Sequence, residues 1–281
     1  MTENAKLAEQ IRNFIVKPDS IAIWGLGQMG LCIKDADQQT LLIDPILSNV
    51  VAETFPNMAT FFARTFDPPL LPEEIDFADI ILCTHEHLDH ADPLTLAGIL
   101  YASPQAVCYT SAWAIESLQL AGLDVNRMKV ASLGNFLKRK SLSIFCMPSA
   151  HYEVELDPEK GSRWLGFILD WGWLRLYHSG DTIVYPDLLD TLTPFTPIRL
   201  MMLPVNGRDA QREALGIVGN LHQQEAQNLA AACRTETIFV GHNDLFAGNS
   251  VPLTDQTADG IIHKPKFLEL RPGQLMVYRK A

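Results

Sequence analysis

The six residues His85-Glu86-His87-Leu88-Asp89-His90 constrain this chain more than any other feature. They bring three imidazoles and two carboxylates together directly after the apolar run FADIILCT. That run reads as a buried strand, so the cluster stands where the chain turns out of a sheet. Burying so many polar side chains without partners is costly, which disfavours a purely structural cluster. Alternate residues of an extended segment point the same way. His85 and His87 can therefore share one metal ion, while Asp89 and His90 face a second beside it. Imidazole and carboxylate together suit zinc, manganese or iron.

A pair of ions needs more ligands than this segment holds. His151 in MPSAHYE, Asp181 in YHSGDT and His242 in FVGHND each follow or end a predicted strand. A common strand-end edge would bring these distant residues together, as in layered α/β domains. The rest of the pattern agrees. Strands are expected at AVCYT, MKVAS, SLSIFCMPS, RWLGFILD, WLRLYHSGD, IRLMMLPV, TIFVGH and GQLMVYR, and helices at PLTLAGILYA, AWAIESLQLAG and about residues 223–232. An amphipathic N-terminal helix is expected at about 4–17, closed by Pro18. The two β-rich runs flanking DADQQ are expected to form strand, turn, strand. Residues 47–72 look like a loop excursion with one short helix. No linker or repeat interrupts residues 1–281, so a single domain is expected.

Composition narrows the partners. Among 281 residues, 33 Asp and Glu against 22 Lys and Arg give a formal charge of −11, which removes the basic field that nucleic acid or an anionic membrane would need. No apolar run approaches the ~18 residues of a membrane span, and the start, MTENAKLAEQ, lacks the features of a secretory signal. A cytoplasmic location is expected. Five cysteines, odd in number and set in apolar surroundings, read as buried free thiols.

Gly25-Leu26-Gly27-Gln28-Met29-Gly30 matches G-x-G-x-x-G after a strand. A dinucleotide site would require a helix to begin there, so that its N–H groups and dipole hold the pyrophosphate. The continuation LCIKDADQQTLLID is β-rich and then turns, so the glycines are expected to serve close packing or a bulge in a hairpin.

The pattern T-H-x-H-x-D-H, a later lone His, S-G-D-T and a final His after a strand resembles the metallo-β-lactamase superfamily, and TLLIDP with Asp44 looks like its first motif. W-x-L-G near the start, YHSGDT and GHND are most similar to the branch containing L-ascorbate-6-phosphate lactonase. The resemblance implies a four-layer αββα sandwich. It also implies that His85, His87 and His151 hold one ion, that Asp89, His90 and His242 hold another, and that Asp181 bridges them. One or two divalent ions, Mn2+, Zn2+ or Fe, are thus the expected cofactor, and Asp44 is expected to steady the metal loops by hydrogen bonds.

The expected chemistry is hydrolysis, with a metal-bound hydroxide opening a small anionic lactone or ester such as a sugar-acid lactone phosphate. Asp89 would orient the nucleophile and pass its proton to the leaving group. A small-molecule phosphodiesterase on the same site is the alternative, and a non-catalytic binding module is a third reading. Asn206 and Arg208 in VNGRD could reach the ligand mouth, with Arg208 clamping an anion at two points. Tyr152 and Asn243 adjoin proposed ligands and are candidates for substrate contact. His178 and His222 read as structural, the latter beside a helix start capped by Asn220, and His263 carries no signal. Homo-oligomerisation is open, since the Phe-rich residues 55–66 suit either a lid or an interface.

Overall fold

The computed structural model describes residues 2–254 and 264–280. The chain divides into two compact units, the first comprising Met1–Ala131, Asp244–Gly248 and Leu270–Ala281, the second Ser132–Asn243 and Asn249–Glu269. His263 lies outside the described residues.

The first unit opens with α1 (Glu3–Asn13), whose first turn is capped by the Thr2 hydroxyl accepting from the Ala5 N–H. The helix stops short of its expected end near residue 17 because Phe14 leaves the helical region at φ −68°, ψ 117°. Phe14 then packs edge-on against Trp24, with ring centroids 5.5 Å apart. Seven strands follow in one sheet: β1 (Ser20–Gly27), β2 (Gly30–Asp35), β3 (Thr40–Ile43), β4 (Ile80–Leu82), β5 (Val107–Thr110), β6 (Met128–Val130) and the chain's last strand, β16 (Leu275–Arg279). The order is β16-β1-β2-β3-β4-β5-β6, antiparallel from β16 to β3 and parallel from β3 to β6. Helices α3 (Pro93–Ala102) and α4 (Ala112–Leu120) join α1 in burying Ile11, Leu96, Ile99 and Leu118 with Ala22, Trp24, Cys32, Ile81 and Cys108. The alternate strand residues Ile21, Ile23, Ile33, Leu41 and Ile80 are buried as well, which is why these strands read as almost continuous apolar runs.

Residues 20–43 hold three strands where the sequence pattern suggests two. The glycine motif is itself a tight turn, with Gly27 paired to Gly30 across it and positive φ at Gly27 (+90°) and Gln28 (+56°). Gly30 begins β2 rather than a helix, so the segment lacks the helix start that a pyrophosphate would sit on. Gly25 serves close packing: a Cβ there would lie 2.4 Å from the Leu270 carbonyl oxygen and 2.9 Å from that of Arg271. In the excursion after β3, a short helix α2 (Val50–Thr54) precedes a phenylalanine cluster. Phe62 packs against Phe55, Phe61 and Phe246 at centroid distances of 5.7, 5.0 and 5.5 Å.

The second unit has its own seven-stranded sheet. Its strands are β7 (Gly134–Arg139), β8 (Leu142–Pro148), β11 (Leu165–Asp170), β12 (Arg175–His178), β13 (Leu200–Pro204), β14 (Thr237–Gly241) and β15 (Lys266–Leu268), with β9 (Leu156–Asp157) and β10 (Gly161–Ser162) forming a separate small hairpin. The order is β15-β14-β13-β12-β11-β8-β7, parallel from β12 to β15 and antiparallel from β7 to β12. Helices α5 (Leu188–Leu192), α6 (Ala210–Ala214) and α7 (Gln223–Ala232) accompany it. Leu188, Leu192, Ala226, Leu229 and Ala230 join Ile168, Tyr177, Met201 and Ile238 in a second core. All five cysteines are buried and free. Among the described residues no helix is long and apolar enough to cross a membrane.

Candidate metal centre

In the first unit, β3 and β4 run parallel and end side by side, which sets the start of the site. Asp44 is the first residue past β3, and Thr84 and His85 follow β4 by one and two residues beyond Cys83. A turn then brings the histidines round, with the N–H groups of His90 and Ala91 donating to the His87 carbonyl at 3.0 and 2.8 Å. Asp92 stops the turn by capping α3, its carboxylate accepting from the Leu94 and Thr95 N–H groups. The His85 ring centroid lies 4.6 Å from that of His87 and 4.1 Å from that of His90, so all three expected imidazoles cluster. Asp89 joins them, its Oδ2 3.5 Å from His90 Nε2.

Asp44 has no exposure and accepts three hydrogen bonds: from the Thr84 N–H at 2.7 Å, the Thr84 hydroxyl at 2.7 Å and His90 Nδ1 at 2.8 Å. The Thr84 hydroxyl has one hydrogen, and Asp44 takes it. The Thr84 oxygen, 3.0 Å from His85 Nδ1, must therefore accept from that ring. Both buried histidines thus carry their proton on Nδ1, which makes Nε2 the nitrogen able to coordinate a cation. Thr84 opens the T-H-x-H-x-D-H pattern but carries no assigned role on sequence, and its position directly before His85 is the signal that could have given it one.

In the second unit, Asp181 is the focus. His242 Nε2 lies 3.1 Å from its Oδ2 and His151 Nε2 lies 3.7 Å away. Asp181 follows β12, His151 follows β8 and His242 is the first residue past β14. The loops are tied together, the Ala150 N–H donating to the Thr182 hydroxyl at 3.3 Å and the Ile183 N–H to the Ala150 carbonyl at 3.2 Å. His151 packs edge-on against Trp164 at 4.9 Å. Asn249 sits 3.4 Å from His242 Nδ1 and is itself held by Asn206 and Arg212. The donors gathered in each unit are nitrogen and carboxylate oxygen without thiolate, a set that fits a divalent cation such as zinc, manganese or iron. Gln28, Asp44, Tyr152 and His242 hold positive φ although none is glycine.

The substrate-contact candidates are placed differently. Asn206 is buried behind His242, bonded to Asn249 and Asn220. Asn243 accepts from the Val251 N–H at 2.7 Å. Arg208 does make a two-point contact, but with Glu225, at 2.8 and 2.6 Å, and it also donates to the Asn220 carbonyl. The hydrogen bonds to Glu225 raise the pKa of that guanidinium above its ordinary value. Expected as an anion clamp, Arg208 therefore spends its fork within the fold. Glu225 also accepts from the His222 N–H and so caps α7, a role assigned to Asn220 on sequence; Asn220 bonds Asn206 instead. Buried His178 accepts from the Gly180 N–H, a structural bond. Tyr152 bonds Glu213 and accepts from the Gly219 N–H. Its ring lines a cavity of about 440 Å³ with Pro148, Glu153, Val154, Tyr185 and Asp187.

The family model for the beta-lactamase superfamily domain matches residues 39–243. Over 148 residues, 50% of this chain, the sequence is 26% identical to a UPF0173 metal-dependent hydrolase of Saccharolobus solfataricus, covering 61% of that protein. The matches to curated relatives span between 54% and 65% of those proteins' lengths. Among solved structures, the isothiocyanate hydrolase from Delia radicum gut bacteria superposes with a TM-score of 0.64 at 18% identity, covering 92% of this chain and 99% of that one. The metallo-beta-lactamase fold protein YhfI from Bacillus subtilis gives 0.51 at 16% identity, covering 80% and 86%. These likenesses identify the α/β, two-sheet architecture as the metallo-β-lactamase fold. With most of its length matched, the chain belongs to the beta-lactamase superfamily domain family.

Proposed function

We propose that this chain is a metal-dependent hydrolase that opens a small ester or lactone. His85, His87, Asp89 and His90 of the first unit, and His151, Asp181 and His242 of the second, are the residues that would hold the divalent ions. The observation that carries this reading is the directed hydrogen-bond chain from Asp44 through Thr84 to His85 and directly to His90, which prepares Nε2 of both rings for coordination. Divalent ions bound there would supply Lewis acidity and lower the pKa of a bound water toward neutrality.

The chain's own groups do the rest. Asp89 would orient the attacking water, take its proton and hand it to the oxygen that leaves as the ester or lactone C–O bond breaks. Tyr152, the neighbour of His151, would present the apolar cavity to the non-reacting body of the substrate. Two carboxylates, Glu153 and Asp187, line that cavity, and Arg208 is engaged by Glu225. A neutral body therefore fits this pocket better than a phosphate.

The test combines metal analysis with a hydrolysis panel of neutral lactones, a phosphorylated sugar-acid lactone, carboxyl esters, bis(p-nitrophenyl) phosphate and an isothiocyanate. The expected outcome is turnover of a neutral lactone or ester that stops on chelation and returns with added metal. Turnover of the phosphodiester alone would overturn the ester and lactone reading.

A further inference from the structure

Gln28 lies in the turn between β1 and β2, a position that in most hairpins faces solvent, yet it is only 2% exposed. Its backbone N–H donates to Asp244 Oδ1 at 2.8 Å and its side-chain amide donates to Asp89 Oδ2 at 2.8 Å. An ionised carboxylate only accepts, so the amide must present its NH2 group to Asp89, and the orientation is settled by chemistry. Glycine or asparagine would take the φ of +56° more readily than glutamine. Asparagine, one methylene shorter, would fall about 1.5 Å short of Asp89. The turn therefore keeps a less comfortable residue whose length spans the gap to the carboxylate.

The type of donor matters as much as its reach. A lysine or arginine at this place would neutralise Asp89 and compete with a cation for it. A neutral amide fixes the carboxylate and leaves its charge intact. Gly27 serves the same end: a Cβ there would fall 2.3 Å from the Phe66 ring, so the turn lies tight against that side chain and Gln28 enters from a fixed origin.

We propose that Gln28 is a positioning residue for Asp89, orienting its carboxylate toward the ion that Asp89 and His90 would hold. The glycine motif thus serves the metal loop. This inference rests on the metal-centre reading above, and the experiment separates the two. The variants are Gln28→Met, which keeps side-chain length without the donor, and Gln28→Ala. Each is titrated with Co2+ in the metal-free full-length protein, following the visible absorption of both sites, with thermal unfolding of the metal-free form alongside.

The expected result is that one binding step is unchanged and the other, at the ion held by Asp89 and His90, is weakened about 10- to 100-fold in both variants. The metal-free Gln28→Met protein should unfold close to wild type, and with substrate kcat should fall while KM holds. If Gln28→Met binds two ions as tightly as wild type, the positioning role is overturned and the metal centre stands. If wild type itself binds no Co2+, both fall.

Discussion

Replacing Asp44 by asparagine changes one oxygen to an NH2 group on a fully buried side chain, and its consequences follow the hydrogen-bond directions. In the native chain the Thr84 hydroxyl and His90 Nδ1 both donate to Asp44 Oδ2. If the substituted amide keeps its oxygen toward the Thr84 N–H, its NH2 faces both donors. The Thr84 oxygen must then accept, its hydrogen turns to His85 Nδ1, and both histidines move their proton to Nε2. Neither ring then offers Nε2 to a cation. Each displaced partner of a metal ligand is worth about 10- to 100-fold in affinity, so Asp44→Asn should weaken both ions by at least that factor. Asp44→Ala is the harsher control. It leaves three buried donors without their acceptor, at about 1–3 kcal/mol each before relaxation. A net loss of about 4 kcal/mol corresponds to roughly 8–16 °C in Tm for a chain of this size. Chelator-competition titration and thermal melts of the metal-free proteins read the two effects separately. An Asp44→Asn protein that binds metal as tightly as wild type would refute the tautomer argument.

Three further outcomes are expected. Burial pushes the Cys32 and Cys233 thiols from 9.0 to about 12, so the unfolded chain loses these protons first as pH rises. Stability of the metal-free protein should then be intact below about pH 9 and fall between pH 9 and 12 by about 1 kcal/mol per pH unit per thiol; a Tm that is flat from pH 8 to 10.5 would contradict this. Gly25→Ala drives a methyl into the Leu270 and Arg271 carbonyls and should cost about 2–3 kcal/mol, seen as a lowered denaturation midpoint; an unchanged midpoint would show that the chain there can yield. Arg208→Ala should leave the KM for a phosphorylated lactone within about twofold of wild type, because Glu225 already holds the guanidinium; a tenfold rise would restore the anion-clamp role.

Much of this was legible because strand ends and the histidine and aspartate residues coincide in the sequence. The run from Ile80 to Cys83 is apolar and the chain then turns polar, and the structure places the histidine cluster at that change. Helices α3 and α4 start where Asp92 and Ser111 supply their caps, so their beginnings were readable. The edge strand β7 was not, because GNFLKR carries mixed polarity and gains its partner only through pairing with β8. The roles of Gln28 and Arg208 were hidden for a different reason. Gln28 meets Asp89 from 61 positions away and Arg208 meets Glu225 from 17, and no local pattern encodes such contacts. In the glycine motif it is Gln28, between the glycines, whose side chain reaches Asp89.

The most direct measurement is the metal content of the reconstituted chain, wild type against Asp181→Ala, with hydrolysis followed on the same samples. The account predicts about two divalent ions per wild-type chain and metal-dependent turnover, with the variant losing affinity for both ions and turnover together. An Asp181→Ala protein that keeps its metal and hydrolyses at the wild-type rate would contradict it.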